Sequence, residues 1–240
     1  MLAGRFHEVS LATRDIRASV EFYERLGFSQ AVTTDAWPHL YGVLTDGRLY
    51  IGLHQRSGLS PALTFVRPDI PGLRDELATH GIVPAFCRTG DEVFNELGFR
   101  DPTGQPVAVV EARTYSPAQR DPAALSHCGY FSELSIPATD LAKAAGFWES
   151  LGFVALDERD APYLHLPLVS DGLDITFHRP RTLDRPMLVF RDPEMPARIG
   201  RLRESGVALS DELPAGLDPA GNALLESPEG TALLLLQDEG

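Results

Sequence analysis

The chain has 240 residues and a formal net charge of −13, from 34 Asp and Glu against 21 Lys and Arg. That length allows one large or two ordinary domains, and the acidic balance argues against nucleic acid or an anionic membrane as a partner, since both are met by basic patches. No apolar run approaches a membrane span and no signal-peptide pattern opens the chain. The two cysteines, Cys87 and Cys128, lack Cys-x-x-Cys spacing, so a reducing cytoplasm is the expected setting.

The first element is a strand, EVSLATRD, in which Val9 and Leu11 alternate with Glu8, Ser10 and Ala12. A helix follows. Asp15 stands where an N-cap belongs, Gly27 where a stop belongs, and Ile16, Val20, Tyr23 and Leu26 share one face. Next comes a strand pair turned by Asp46-Gly47, whose second strand alternates Leu49, Ile51 and Leu53 with Tyr50, Gly52 and His54. Then ALTFVRPD predicts a strand, PGLRDELATHG a helix with Pro71 in its first turn, and FRDPTGQPVAVVEA a turn and closing strand.

The same order recurs at an offset of 125, from Glu8 to Glu133. Asp15 meets Asp140, Leu26-Gly27-Phe28 meets Leu151-Gly152-Phe153, Asp35-Ala36 meets Asp160-Ala161, and Asp46-Gly47 meets Asp171-Gly172. A one-residue deletion at the second turn then brings His54 onto His178 at an offset of 124. Matches in order along both halves indicate duplication of a domain-sized unit. The halves are read as residues 1–114 and 128–240, joined by a Pro-, Ser- and Ala-rich linker over 115–127. The fold class is α+β, with four β-α-β-β-β modules, two per half. Curved mixed sheets form open cups, with the helices outside.

With a strand ending in Asp, then SVEFYERLGF or AAGFWESLGF, and a late DPTG or SPEG turn, the chain resembles the vicinal oxygen chelate superfamily. That superfamily includes glyoxalase I, bleomycin-resistance proteins and extradiol dioxygenases. The resemblance implies paired modules around a cup, in which many members hold a divalent metal that binds two neighbouring oxygens of a substrate. It implies a first ligand, often His, at Glu8 and Glu133, and a closing ligand, often Glu, at Ala108 and Leu234. The second His position falls on Ala62-Leu63 and Met187-Leu188, and the hairpin-strand position on Gly52 and Thr176. The usual ligand set is therefore missing from both halves. The cofactor is left open, with Glu8, His54, Glu133 and His178 the donors that remain for a divalent metal.

Each half thus offers a Glu on its opening strand and a His two positions beyond the hairpin-strand ligand site, on the same face. Glu8 with His54, and Glu133 with His178, are the candidate catalytic residues. Such a pair orients an imidazole as a general base, begins a metal site, or is a salt bridge inherited with the duplication. His7 would replace Glu8 only if the strand slipped by one residue. Trp37, His39 and Tyr41, in DAWPHLYGV, suit a flat organic ligand or ordinary packing between modules. Tyr163 and His165 stand in the corresponding segment of the second half. Arg67 and Arg191 end matching strands, where they meet an anionic ligand or pair with nearby Asp residues. Cys87 reads as a structural thiol.

Two functions follow as expectations. One is an enzyme of lyase, isomerase or dioxygenase type with an atypical Glu–His site. The other is a non-catalytic, metal-free binding protein of the drug-sequestering kind. Either takes a small-molecule ligand, as a monomer or homodimer.

Overall fold

The computed structural model describes residues 1–33, 37–112 and 125–238. The first half runs β1 (Arg5–Thr13), α1 (Ile16–Arg25), β2 (Ser29–Ala31), β3 (Tyr41–Thr45), β4 (Tyr50–Gln55), β5 (Ala62–Arg67), α2 (Ile70–Thr79), β6 (Phe86–Arg88), β7 (Glu96–Arg100) and β8 (Pro106–Glu111). The second runs β9 (Tyr130–Pro137), α3 (Leu141–Ser150), β10 (Val154–Ala155), β11 (His165–Val169), β12 (Ile175–His178), β13 (Met187–Asp192), α4 (Met195–Glu204), β14 (Ala223–Glu226) and β15 (Ala232–Gln237). The fold is α+β, with two mixed sheets and four helices among the described residues. Most of the predicted linker, and the match at Asp35-Ala36, lie outside the described residues.

Local chemistry sets the helix limits. The side chains of Asp15, Asp69 and Asp140 accept hydrogen bonds from the third backbone N–H beyond them, at 3.1, 2.9 and 3.0 Å. Gly27 and Gly152 end the first helix of each half at φ of 88° and 100°, where a side chain would be strained. At the first hairpin, Asp46 accepts from the N–H groups of Arg48 and Leu49 at 3.0 and 2.8 Å. No described helix is long and apolar enough to cross a membrane.

The eight-stranded sheet has the order β2-β3-β4-β1-β5-β8-β7-β6, and the seven-stranded sheet β10-β11-β12-β9-β13-β15-β14. Within each sheet two modules meet where β1 lies antiparallel to β5, or β9 to β13. The fourth module is shorter by one strand: opposite the place of β6, Ser210 forms only a bridge to Leu224. Register makes the halves comparable position by position. Tyr41 faces His54 as His165 faces His178, so His54 and His178 correspond as deduced. The missing residue is not at the turn, however: the offset is 125 from β2 to β10 and already 124 from β3 to β11, so the deletion lies between β10 and β11.

The central strands are buried on both faces, for different reasons. Val9, Leu11, Ile51, Leu53, Leu63 and Phe65 belong to one apolar core that also takes Trp148, Phe177, Phe190 and Leu235 of the second half. The other face of β1 carries Glu8 and Ser10, both buried, toward the cup. Opposite Glu8, between Phe6 and Glu8, the β1–β5 register shifts at a bulge, and β9–β13 shifts at the matching place.

Candidate functional site

The first-half cup is a cavity of about 710 Å³. Its floor is made of small side chains on adjacent strands: Ser10, Ala62, Thr64, Gly98 and Ala108. Its wall is aromatic. Trp37 meets His54 edge-on at 5.0 Å and Phe94 at 5.3 Å, and His39 lies 5.7 Å from the same indole. Phe86 and Phe94 are half exposed at the mouth, where Arg56 sits 5.9 Å over the Trp37 ring.

Beneath that cavity lies Glu8, 1% exposed. Its Oε2 accepts from the Tyr41 hydroxyl at 2.6 Å, and its Oε1 from Ser10 at 2.7 Å and from His54 Nε2 at 3.2 Å. Since Ser10 donates to Glu8, the 2.6 Å contact between Ser10 and Thr64 has Thr64 as donor. His54 Nδ1 in turn meets His39 Nε2 at 2.9 Å. Three side chains therefore form one chain, Glu8–His54–His39, running from the buried carboxylate to the cavity wall.

Electrostatics orders this chain. Burial alone would push the Glu8 carboxyl up. The hydrogen bonds from His54 and Tyr41 and the nearby charges of His7 and His54 outweigh it and hold Glu8 below its ordinary value. Glu8 is thus ionised and accepts only, so His54 presents an Nε2–H to it. Burial, then the neighbouring His54 and Arg56, lower the basicity of His39 and keep it neutral. In the neutral chain His54 Nδ1 accepts from His39 Nε2–H, and His39 Nδ1 is left with a lone pair.

Gly52 is the residue that permits the arrangement. A Cβ there would lie 2.1 Å from Glu8 Oε1, so the carboxylate occupies the space a side chain would fill. The counterpart of Gly52 is Thr176, paired with Ser135 as Gly52 pairs with Ser10. In the second half the expected Glu133–His178 pair is not formed. His178 Nε2 donates to the Leu183 carbonyl at 2.8 Å, and its Nδ1 accepts from Ser135 at 2.8 Å. Glu133 turns toward Arg191, at 3.8 Å, and among the described residues its Oε1 has no hydrogen-bond partner. The physical reason is the Thr176 side chain, which stands where Glu8 lies in the first half.

The second cup is filled as well. At the register positions of Ala62, Thr64, Gly98 and Ala108 stand Met187, Val189, Leu224 and Leu234. These four belong to a separate buried cluster with Tyr163, against which Leu183, Leu213 and Leu217 pack. Tyr163 takes the place of His39, and burial followed by the charge of Glu133 drives its hydroxyl above the ordinary range.

The remaining sequence candidates fall as follows. Trp37, His39 and Tyr41 all come to the first cup, Tyr41 beneath it as a partner of Glu8. Arg67 pairs with Glu76 at 2.6 Å, and Arg191 approaches Glu133. Cys87 is exposed on the edge strand β6. Residues that the sequence reading did not single out are Thr64, Phe94 and Arg56. Thr64 carries a signal, since it shares a face with Ala62 on a strand. Phe94 lies in a loop without periodicity, and nothing local places it opposite Trp37.

A metal of the kind the fold implies does not fit the residues present. Three of the four ligand positions are Gly52, Ala62 and Ala108, which offer no side-chain donor. The fourth, Glu8, has both oxygens engaged by Tyr41, Ser10 and His54. Both nitrogens of His54 are likewise engaged, and among the described residues no three His, Cys, Asp or Glu side chains converge to hold an ion.

No protein-family model and no curated protein matches this sequence. Solved structures do resemble it. A catechol 2,3-dioxygenase is 14% identical, with a TM-score of 0.60 over 96% of this chain and 86% of that one. An Mn(II)-bound glyoxalase from Novosphingobium aromaticivorans is 14% identical, with a TM-score of 0.62 over 96% and 80%. A 2,3-dioxygenase from Pseudomonas sp. KL28 is 14% identical, with a TM-score of 0.60 over 96% and 90%. At such identities the likeness carries the fold and not the chemistry: the chain shares the paired-module fold of these dioxygenases and this glyoxalase.

Proposed function

We propose that this chain is a metal-free small-molecule binding protein, with its working site in the cup of the first half and a ligand that bears a flat ring. The observation that supports this most is the contrast between two register-matched cups. One is an open cavity of about 710 Å³ with an aromatic wall, and the other is closed by Met187, Val189, Leu224 and Leu234. A cavity of that size, largely apolar with a few convergent polar groups, is what small organic ligands occupy. The absence of a donor set at Gly52, Ala62 and Ala108 sets this reading apart from the activities named for the dioxygenases and the glyoxalase of the same fold.

The test is tryptophan fluorescence during titration with flat aromatic compounds, alongside metal analysis of protein purified without chelator. Trp148 is buried and bonded to Asp101, so it supplies a constant background. Binding in the first cup should change the Trp37 emission, and Trp37→Phe should remove most of the change. A response that persists in that variant would place the ligand elsewhere. A stoichiometric metal that departs with Glu8→Gln would overturn the metal-free reading.

A second reading, an enzyme of isomerase or lyase type, is favoured by the Glu8–His54–His39 chain. A neutral imidazole backed by a second imidazole and a buried carboxylate is suited to general-base work. Turnover of a ligand found by fluorescence, lost in His39→Gln with binding retained, would support it.

A further inference from the structure

Four features of the first cup remain unused by a binding role alone. The hydrogen-bond chain ends at His39, which lines the cavity with an unshared lone pair on Nδ1. Arg56 lines the same cavity, and among the described residues it has no ion-pair partner. It lies close enough to His39 to depress its basicity. Among the described residues, the buried Trp37 Nε1–H has no acceptor.

The charged groups facing this spot can be named from every wall. Glu8, His54 and Tyr41 lie behind His39, with His7 near Glu8. Among the described residues, Arg56, Arg88 and Arg100 line the cavity, and the one lining carboxylate, Glu96, is held by Arg88 at 2.8 Å. The lining is therefore locally cationic in a protein of net charge −13. A cationic lining selects an anion. A proton acceptor beside it selects an anion that must first lose a proton. A carboxylic acid arrives already ionised at neutral pH, and an aliphatic alcohol holds its proton too tightly. A phenol lies between these, and its ring suits the wall of Trp37 and Phe94.

We infer that the first cup binds a phenol as its oxyanion, with the hydroxyl proton taken by His39 and the oxygen set against Arg56. The inference rests on the binding function proposed above. The phenol O–H bond breaks and its electron pair stays on oxygen as phenolate. The proton forms an Nδ1–H on His39, and the positive charge is shared through His54 with ionised Glu8. No oxidant and no metal takes part. These residues replace, by hydrogen bonds and charge, the stabilisation of a ligand oxyanion that a metal would otherwise supply.

The probe is 4-nitrophenol, whose phenolate absorbs in the visible, titrated into the whole protein at a pH below the phenol's own pKa. Calorimetry in two buffers of different ionisation heat counts the protons released. The expected result is a bound phenol shifted toward phenolate by about tenfold or more, equivalent to one pKa unit or more. No net proton should appear in the buffer. Arg56→Gln, a change at the exposed mouth, should lose most of that shift. His39→Gln should release one proton for each phenolate bound. 4-Nitroanisole, with the same ring and no ionisable proton, should bind about tenfold more weakly or worse, a difference near 1.4 kcal/mol. Binding of 4-nitrophenol with a neutral spectrum, equal binding of the anisole, or proton release by the unmodified protein would overturn the inference and leave the binding function standing. No heat and no spectral change with either compound would overturn both.

Discussion

Glu8 and Glu133 are the same residue at the same place in two copies of one unit, yet only Glu8 joins a hydrogen-bond chain. The difference lies across the strand, in Gly52 against Thr176. Gly52→Ala is therefore expected to push the Glu8 carboxylate off His54 and Tyr41. Breaking a buried pair of this kind costs on the order of 3 kcal/mol, which would appear as a lower urea midpoint with an unchanged slope. An unchanged midpoint would mean that Glu8 has a second resting place. His178 offers a pH prediction at the same scale. Burial lowers its pKa from the ordinary 6.5 to about 4, with the charge of His165 adding to the effect against a hydrogen bond to Leu183. The folded state thus prefers neutral His178, and the unfolded chain takes the proton first. Its contribution is complete above pH 6.5 and falls away as pH drops toward 4, by up to about 3 kcal/mol. His39 acts in the same direction, so the variant must separate the two. The fall in the urea midpoint between pH 7 and pH 5 should shrink in His178→Gln. An equal fall in both proteins would show that His178 is not its source.

At the scale of elements, β5, β7 and β8 repeat in β13, β14 and β15 with their pairing intact, and side-chain volume alone separates an open cup from a closed one. Ala108→Leu installs in the first half what the second half carries at Leu234. Because the space it enters is empty, the variant should stay as stable as the parent, or gain a little from burying a leucine. It should also lose aromatic binding at least tenfold, read by fluorescence titration. Retained affinity would show that the ligand does not reach the floor. Most of these elements were legible in the sequence. Asp15, Asp69 and Asp140 mark helix starts through a hydrogen bond reaching only three residues ahead, and Gly27 and Gly152 mark ends through a local torsion. The missing strand of the fourth module was not legible. Where β6 carries Phe86-Cys87-Arg88, the segment before β14 has only the Ser210 bridge, and Leu213 and Leu217 pack against the second cup.

At the scale of the molecule, the halves are tied by exchanged contacts between matching helix positions and late turns. Tyr23 of α1 donates to Glu229 at 2.7 Å, and Trp148 of α3, at the matching position, donates to Asp101 at 2.9 Å. Leu2 N–H bonds to the Leu151 carbonyl and His127 N–H to the Leu26 carbonyl, both at 2.8 Å. The apolar core is continuous through Phe28 and Phe190, whose rings lie 6.4 Å apart. Unfolding should therefore be a single transition, with Trp37 and Trp148 emission changing at one denaturant concentration. Tyr23→Phe should lower that shared midpoint by about 1–2 kcal/mol of lost hydrogen bonding. Two separate transitions would show that each half is stable alone.

The sequence by itself determined the modules, their duplication and most of the correspondence between the halves, with the loss of the usual ligand positions, while the place of the one-residue deletion came from the strand register. The modules and their duplication follow from local periodicity, caps and repeated spacing, which can be read along the chain, and the missing ligand positions follow from the family that the sequence resembles. It also pointed to Glu8 and His54. Only the tertiary structure decided that Glu133 and His178 stay apart, that His39 completes the chain in the first half, and that one cup is open while the other is packed. Those outcomes depend on which atoms fill a shared volume between strands remote in sequence, such as the absent Cβ of Gly52 under Glu8, or Leu234 beside Val189. Excluded volume between distant residues leaves no periodic trace for a linear reading to find.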